Sequence, residues 1–168
     1  MEKRKKISIA GTCYNESGNI RELYDRCMAE LKKFPQYDYE FVMADNCSTD
    51  DTRVKLLQLA EEDKNFKVIF NANNFGPINS GMNAFCAATG DVVIQIAADL
   101  QDPPELISQF IEKYESGFDM YLIYLCPFIH ISSMANMKAW IIASRNIDTV
   151  VPRPSRMSFQ YPCDITLP

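Results

Sequence analysis

Five carboxylate side chains stand in short polar clusters within the first 102 residues: Glu16, Asp45, Asp50, Asp99 and Asp102. Carboxylates held close together repel one another unless a cation neutralises them. Oxygen ligands of this kind suit Mg²⁺ or Mn²⁺, which commonly bridge one or two carboxylates to the phosphates of a substrate. If the fold brings these clusters together, they form a site that binds a nucleoside diphosphate through a divalent metal ion.

A structural role is the alternative for some of these acids. Asp and Asn residues that follow a strand commonly cap the next helix, and Asp50 and Asp51 fit that role equally well. Neither a G-x-G-x-x-G after the first strand nor a G-x-x-x-x-G-K-[ST] is present, which excludes the usual dinucleotide fingerprint and the phosphate loop of nucleotide hydrolases. Spacing alone leaves the metal–nucleotide site and the helix caps both open.

The elements that must position these clusters alternate between strands and helices. Apolar runs predict strands over 7–10, 39–44, 66–70 and 91–97. Apolar residues at three- and four-residue spacing, with proline near helix starts, predict helices over 19–34, 54–60, 77–89 and 103–116. This order predicts an α/β fold, a Rossmann-like and mostly parallel sheet with helices on both faces.

In a parallel sheet joined by right-handed crossovers, every strand ends at the same edge, and ligands bind there. Three polar clusters, Tyr14–Glu16, Asp45–Asp50 and Asp99–Asp102, each follow a predicted strand. We therefore expect them to converge at one edge of the sheet.

Four motifs along residues 7–119 resemble those of family 2 glycosyltransferases. They occur in the order and at the spacing of that family: Cys13-Tyr14-Asn15-Glu16 for P-x-Y-N-E, Asp45-Asn46-Cys47-Ser48-Thr49-Asp50 for D-D-G-S-x-D, Asn74-Phe75-Gly76 with Gly81 and Gly90-Asp91 for N-F-G…G…G-D, and Asp99-Leu100-Gln101-Asp102-Pro103-Pro104-Glu105 for D-L-Q-D-P-P-E. The last is most similar to polyprenyl-phosphate glycosyltransferases and dolichol-phosphate mannose synthase. The resemblance implies a GT-A fold.

The same resemblance implies roles for individual residues. Tyr14 and Glu16 would line the nucleoside pocket, and Asp45 and Asn46 would contact the base and ribose. The backbone at Ala98 would approach the ribose or diphosphate of the donor.

For the metal, the resemblance implies Asp99 as the main ligand of Mg²⁺ or Mn²⁺ and the side-chain carbonyl of Gln101 as a second. The implied reaction is an inverting hexosyl transfer from a UDP- or GDP-sugar to a lipid-phosphate or cell-envelope glycan acceptor. Metal and diphosphate would stabilise the leaving group while the acceptor attacks from the opposite face.

Three positions depart from the family pattern. Thr12 stands where the family usually has Pro, which removes some loop rigidity. Asn46 replaces an acid but can still form hydrogen bonds with a ribose or base. Ala97 stands where many relatives place the first Asp of D-x-D, so metal binding is expected to depend more on the donor phosphates.

Composition changes near Met120. Residues 1–119 carry 20 acidic and 13 basic side chains, whereas residues 120–168 carry 2 and 4. We therefore predict a nucleotide-sugar-binding core over 1–119 and an atypical tail over 120–168, with a strand at 120–125 and an irregular segment at 152–168. Only Asp148 and Asp164 are acids in this tail, so no general base is identified. We expect a fold that is incomplete at its C-terminus, through truncation or a disrupted reading frame.

Charge and cysteine spacing constrain partners and compartment. A net charge of −5 argues against nucleic-acid binding. The six cysteines include no C-x-x-C pair and no secretory signal opens the chain, so we expect reduced thiols in a cytoplasmic protein. The basic run Lys3–Lys6 is expected to be a solvated N-terminus or a peripheral contact with the inner face of the membrane.

Two other functions fit the same residues. The chain could bind a nucleotide sugar without turnover, and a transfer or donor-hydrolysis assay would separate this function from catalysis. It could also be a structural or oligomerisation domain, with the apolar stretch 120–142 as its interface. Such a domain would not respond to nucleotides. The sequence does not predict an oligomeric state.

Overall fold

A computed structural model describes residues 4–117 and the strands at 120–123, 140–142 and 148–151. The elements follow in this order: β1 (Lys6–Cys13), α1 (Ile20–Leu31), β2 (Asp38–Asp45), α2 (Thr52–Glu62), β3 (Phe66–Phe70), α3 (Gly76–Ala87), β4 (Val92–Ala97), α4 (Leu106–Glu115), β5 (Met120–Ile123), β6 (Trp140–Ile142) and β7 (Asp148–Val151). The predicted alternation of strands and helices is confirmed.

Five strands form one parallel sheet in the order β3-β2-β1-β4-β6, and β5 pairs with β7 in a separate antiparallel ladder. This confirms the mostly parallel α/β sheet. The predicted strand from residue 120 is present over Met120–Ile123. The irregular segment predicted over 152–168 lies outside the described residues.

Two predicted boundaries differ from the structure for identifiable reasons. β1 continues to Cys13 because its backbone stays paired with β2 as far as Asp45, so pairing rather than apolarity sets the strand's end. α4 begins at Leu106, because Pro103 and Pro104 form the turn whose carbonyls accept the first amide hydrogen bonds of the helix.

The two faces of the sheet are covered unequally. Side chains alternate along each strand, and one set packs with α1, α2 and α4 in the larger core, which includes Ile9, Phe41 and Ile94. Among the described residues, the opposite set, which includes Ala10 and Val42, packs against α3. Helices therefore cover both faces, as predicted.

α2 lies where the apolar pattern predicted a helix, but two of the residues that indicated it face solvent. Val54 is 53% exposed and Leu57 is 50% exposed. The buried positions are Thr52, Leu56 and Leu59.

A switch in strand order creates a crevice at the carboxyl edge of the sheet. The chain proceeds from β1 through β2 to β3 and then returns to place β4 on the other side of β1. The connections after β1 and β4 therefore lead in opposite directions and leave a gap between them, which is the usual ligand position in such sheets.

A buried carboxylate organises the opposite, amino edge of the sheet. Glu40 is 2% exposed and accepts hydrogen bonds of 2.6 Å from the Ser8 hydroxyl, the Lys67 ammonium and the Thr89 amide. Gly90 packs directly against β1, and a Cβ added to Gly90 would stand 2.8 Å from the Ser8 backbone nitrogen. Burial alone would raise the pKa of Glu40, but these hydrogen bonds outweigh it and lower the pKa to about 2.

We predict that Glu40→Gln lowers the free energy of unfolding at pH 7 by about 3 kcal/mol, since one pKa unit corresponds to about 1.4 kcal/mol. A carboxyl whose pKa is lowered by folding stabilises the protein above its unfolded pKa of 4.5 and loses that contribution as the pH falls towards 2. The difference between wild type and variant should therefore shrink between pH 4.5 and pH 2 in urea titrations. The control Glu61→Gln, at an exposed position, should differ little from wild type, and a Glu40→Gln deficit that does not change with pH would contradict the prediction.

Candidate functional site

A cleft of about 310 Å³ opens at the carboxyl edge, at the gap between the loops after β1 and β4. Its lining comes from four separate parts of the chain: Thr12, Cys13, Tyr14, Glu16, Asn46, Asn74, Pro77, Ala97, Ala98 and Asp99. The convergence expected from the sequence is thus present in the fold.

Five of the predicted donor-site residues line this cleft: Tyr14, Glu16, Asn46, Ala98 and Asp99. The Tyr14 ring is 45% exposed, and the Asp99 side chain also faces solvent. The cleft therefore combines an accessible aromatic face with hydrogen-bonding groups and a carboxylate.

Asp45 lies below the cleft and does not line it. Its carboxylate is fully buried, accepts a 2.6 Å hydrogen bond from Arg53 Nε, and also accepts the Ser48 amide at 3.2 Å. Arg53 in turn donates to the Asn71 carbonyl at 2.9 Å and stacks over the Phe70 ring. Asp45 thereby connects the end of β2 to α2 and to the end of β3. Its predicted contact with the base and ribose of a donor stays a prediction.

Asn46 connects the loop after β2 to the loop after β3 through its side chain, and to the end of β1 through its backbone. Its Nδ2 donates to Asn74 Oδ1 at 2.8 Å, and its Oδ1 accepts the Phe75 amide at 2.9 Å. Its backbone amide donates to the Cys13 carbonyl at 2.9 Å. A carboxylate at this position can only accept hydrogen bonds, so the amide supplies a donor to Asn74 that the acid usual in the family lacks.

The loop after β1 is held by the start of α2. Asn15 adopts a left-handed backbone with φ of 55°, which asparagine tolerates better than most residues. Its backbone N–H donates to Ser48 Oγ at 2.9 Å, and its side-chain Oδ1 accepts a 2.8 Å hydrogen bond from the Thr49 backbone N–H. The Glu16 amide donates to Thr52 Oγ1 at 2.8 Å. These bonds fix the backbone that carries Tyr14 and Glu16.

Asp50 belongs to the same support. Its carboxylate accepts the Thr52 amide at 3.0 Å and the Ser17 amide at 3.2 Å. Burial opposes its ionisation, but the hydrogen bonds from Thr52 and Ser17 prevail and lower its pKa to about 2. The sequence left two roles open for Asp50, a ligand in a metal–nucleotide site and a structural role at the start of a helix. The structure favours the structural role, because these hydrogen bonds are made at the start of α2.

Cys13 lines the cleft as a neutral thiol. Burial, and to a smaller extent the neighbouring carboxylates, raise its pKa to about 12. The thiol is therefore a poor nucleophile at neutral pH. Among residues 4–117, the cysteines are free thiols: Cys13, Cys27, Cys47 and Cys86.

The groups available for a metal are few and are all oxygen donors. Asp99 Oδ1 accepts a 3.1 Å hydrogen bond from the backbone N–H of Gln101, across a bend where Leu100 has φ of 58°. Gln101 is exposed but does not line the cleft, and Ala97 contributes only a methyl group to the wall. Within the described part of the chain, no three His, Cys, Asp or Glu side chains are grouped to hold a metal. This set fits Mg²⁺ or Mn²⁺ that takes its other ligands from phosphates and water.

A bidentate ion pair that the sequence did not predict anchors the loop after β4. Arg26 of α1 donates to both carboxylate oxygens of Glu105 at 2.9 and 2.7 Å, and this lowers the pKa of Glu105. Glu105 belongs to the D-L-Q-D-P-P-E motif, but its partner lies 79 residues away. No signal in the sequence connects the two.

Among the described residues, no side chain at the cleft is identified as a general base. Glu16 and Asp99 are the carboxylates that line it among the described residues, and Glu16 accepts a 2.7 Å hydrogen bond from Asn19. Asp164 lies outside those residues. No helix in the described ranges is long and apolar enough to span a membrane.

Two proteins of similar sequence are named as undecaprenyl-phosphate sugar transferases. The chain is 34% identical over 120 residues to undecaprenyl-phosphate 4-deoxy-4-formamido-L-arabinose transferase of Photorhabdus laumondii, covering 71% of this chain and 37% of that protein. The enzyme of the same name from Proteus mirabilis is also 34% identical over 120 residues, covering 71% and 36%. The chain thus spans little more than a third of the length of these relatives.

Solved structures with the same fold include S. aureus TarS 1-349 in complex with UDP, with a TM-score of 0.57 and 24% identity over 75% of this chain and 38% of that one. The mannosyltransferase PcManGT from Pyrobaculum calidifontis, in complex with GDP-Man and Mn²⁺, has a TM-score of 0.60 and 21% identity over 73% and 36%. These likenesses confirm the predicted GT-A fold.

The family assignment has its own support, because residues 8–147 match the model of the family described as glycosyl transferase family 2. That range contains the cleft and every motif that resembled the family, and this chain belongs to glycosyl transferase family 2.

Proposed function

We propose that this chain is the donor-binding part of a glycosyltransferase that transfers a sugar, with inversion, from a UDP- or GDP-sugar to a lipid-phosphate acceptor or a cell-envelope glycan. The observation that carries this proposal is the cleft at the β1/β4 switch point, where Tyr14, Glu16, Asn46 and Asp99 meet. The lipid-phosphate acceptor is supported by the names of the relatives. UDP and GDP-Man in the two solved structures support the donor class.

The donor's nucleoside would bind at the β1 side of the cleft. The exposed Tyr14 ring offers a face for a base, and Glu16 and Asn46 offer acceptors and a donor for ribose hydroxyls. Their backbones are fixed by the loop-to-loop hydrogen bonds described above, so binding requires little further ordering. The backbone at Ala98 would face the ribose or diphosphate.

Asp99, with Gln101, would hold Mg²⁺ or Mn²⁺ at the β4 side. When bound, the metal neutralises charge that develops on the departing diphosphate. Ala97 leaves the protein with few ligands, so the metal and the donor should bind cooperatively. We place the protein on the cytoplasmic side, at the inner face of the membrane, with residues 1–119 as the donor-binding core and 120–168 as an atypical tail.

Binding of a nucleotide sugar without turnover is the second candidate function. It is favoured by one observation: among the described residues, the carboxylates that line the cleft are those of Glu16 and Asp99, which we propose for binding, and burial keeps the Cys13 thiol protonated at neutral pH, so it cannot accept a proton. Measurement of sugar transfer and of donor hydrolysis separates the two functions.

We expect one of UDP or GDP to stabilise the chain against heat, and to do so more strongly with Mn²⁺. A ligand at about 100 times its dissociation constant adds about 2.7 kcal/mol to native stability, which raises Tm by roughly 5–10 °C for a domain of this size. Differential scanning fluorimetry with UDP, GDP, UDP-glucose and GDP-mannose, each with Mn²⁺ or with EDTA, measures this. A cooperative transition that none of them shifts would contradict the donor site.

We expect Asp99→Asn to weaken nucleotide binding in Mn²⁺ at least tenfold, about 1.4 kcal/mol, because the amide removes the charge that attracts the cation. Binding in EDTA should change little. Asp51→Asn is the matched control, since Asp51 is exposed near the same edge but does not line the cleft. Isothermal titration calorimetry measures both affinities. If Asp99→Asn lowers the nucleotide affinity equally in Mn²⁺ and in EDTA, Asp99 is not a metal ligand.

A further inference from the structure

Each wall of the cleft leads into a helix that starts at the same edge of the sheet. α1 follows the loop that carries Tyr14 and Glu16, which we call the nucleoside wall. α4 follows the loop that carries Asp99, which we call the metal wall. Because β1 and β4 are parallel neighbours, both helices begin at the carboxyl edge, and both pack on the larger core. A contact between the starts of α1 and α4 therefore acts on both walls.

Polar contacts join α1 to α4 at two levels. Arg26 donates to both carboxylate oxygens of Glu105, through Nε at 2.9 Å and Nη2 at 2.7 Å. About one turn further along both helices, Ser108 Oγ donates to a carboxylate oxygen of Glu30. Arg26 and Glu105 come before Glu30 and Ser108 in their segments, so their ion pair is the contact nearer the cleft.

The Arg26 guanidinium is also held from its own helix. Its Nη1 donates to Glu22 Oε1 at 3.1 Å, one turn nearer the start of α1. The planar guanidinium therefore has carboxylate partners on all three nitrogens, and its fork matches the two oxygens of Glu105. The Arg26 side chain is 33% exposed and the Glu105 side chain 53%, so the contribution of this pair depends on its geometry more than on burial.

Glu105 lies at the end of the loop that carries the predicted metal ligands. Ala98 at the start of this loop and Pro104 near its end are buried, whereas Asp99 and Gln101 between them face solvent. A functional site requires its ligating groups to be held within about 0.5 Å of their working positions by surrounding contacts. The Arg26–Glu105 pair supplies such a contact directly after Pro104.

We propose that Arg26 is a positioning residue of the donor site, which holds the metal wall at a fixed distance from the nucleoside wall through Glu105. The inference rests on the proposed donor site and adds a residue outside the cleft that tunes it. A metal ion that takes most of its ligands from a diphosphate must reach Asp99 from a nucleotide already bound at the opposite wall. A change in the separation of the walls therefore weakens the metal-dependent part of nucleotide binding, and leaves the part made by the nucleoside wall unchanged.

The packing of the two helices does not require this ion pair. α1 contributes Leu23 and Cys27 to the larger core, and α4 contributes Ile107 and Phe110. The hydrogen bond of Ser108 joins the helices at the second level. Loss of the Arg26 guanidinium therefore leaves the core between α1 and α4 in place, and we expect variants at position 26 to fold.

The test compares nucleotide affinity in Mn²⁺ and in EDTA by isothermal titration calorimetry of the full chain, with whichever of UDP or GDP binds wild type. We expect Arg26→Gln to lower the affinity in Mn²⁺ by about threefold, since the loss cannot exceed the contribution of a partly exposed ion pair. Its affinity in EDTA should equal that of wild type. Arg21→Gln is the matched control, because it removes the same charge from α1 and breaks a 2.6 Å pair with Glu62 of α2. It should bind like wild type in both conditions.

Two further variants separate position from charge. Glu105→Gln should give the same loss in Mn²⁺ as Arg26→Gln, and the double variant should lose no more than either, because all three remove one interaction. Arg26→Lys keeps the charge without the bidentate fork, so its affinity in Mn²⁺ should lie between those of wild type and Arg26→Gln. Glu105→Gln and Arg26→Lys decide the question if Arg26→Gln fails to fold.

Three results would overturn the positioning role: equal losses in Mn²⁺ and EDTA, losses that add in the double variant, or variants at positions 26 and 105 that bind like wild type. The behaviour of wild type keeps this inference apart from the proposed function. If wild type shows no Mn²⁺-dependent nucleotide binding, the donor site itself is rejected, and the role of Arg26 with it. If wild type binds in a Mn²⁺-dependent manner and the variants do the same, the positioning role alone is rejected.

Discussion

The parallel pairing of β1 with both β2 and β4 is the constraint on which the site depends. Its register sets Cys13 opposite Asp45 and Thr12 opposite Ala97, so the three strands end at one level. The cleft residues that follow β1, β2 and β4 are brought together by this alignment, because each loop begins where its strand's hydrogen bonds stop. A shift by one residue would turn every side chain of a strand to the other face.

The family motifs contain two kinds of residue that only the structure separates. Glu16 and Asp99 present their side chains to the cleft. Asp45, Asp50 and Glu105 instead accept hydrogen bonds from Arg53, from backbone amides and from Arg26, which hold the loops in place. Replacement of a supporting acid would therefore impair binding through loop position, while replacement of a cleft acid would act on the ligand directly.

The two faces of the sheet are packed differently. α1, α2 and α4 bury the larger apolar core on one face. α3 covers the other, with Ser80, Gly81 and Ala84 buried and Phe85 partly buried against the sheet, while Ile78 is exposed. That face also holds the Glu40 cluster, whose buried charge is compensated by Lys6 and Lys67.

Apolar periodicity and turn residues determined the order and type of β1 to α4, because these depend on neighbours in the chain. The same local patterns placed Tyr14, Asn46 and Asp99 after strand ends, and the motifs identified the family. Tertiary structure alone decided that Asp45 is buried against Arg53 and that Arg26 grips Glu105. Both pairs form between side chains of different loops and helices, and the apolar periodicity of a sequence does not indicate which of these side chains meet. Exposure of Val54, Leu57 and Ile78 was decided in the same way, since an apolar side chain is buried only where another element covers it.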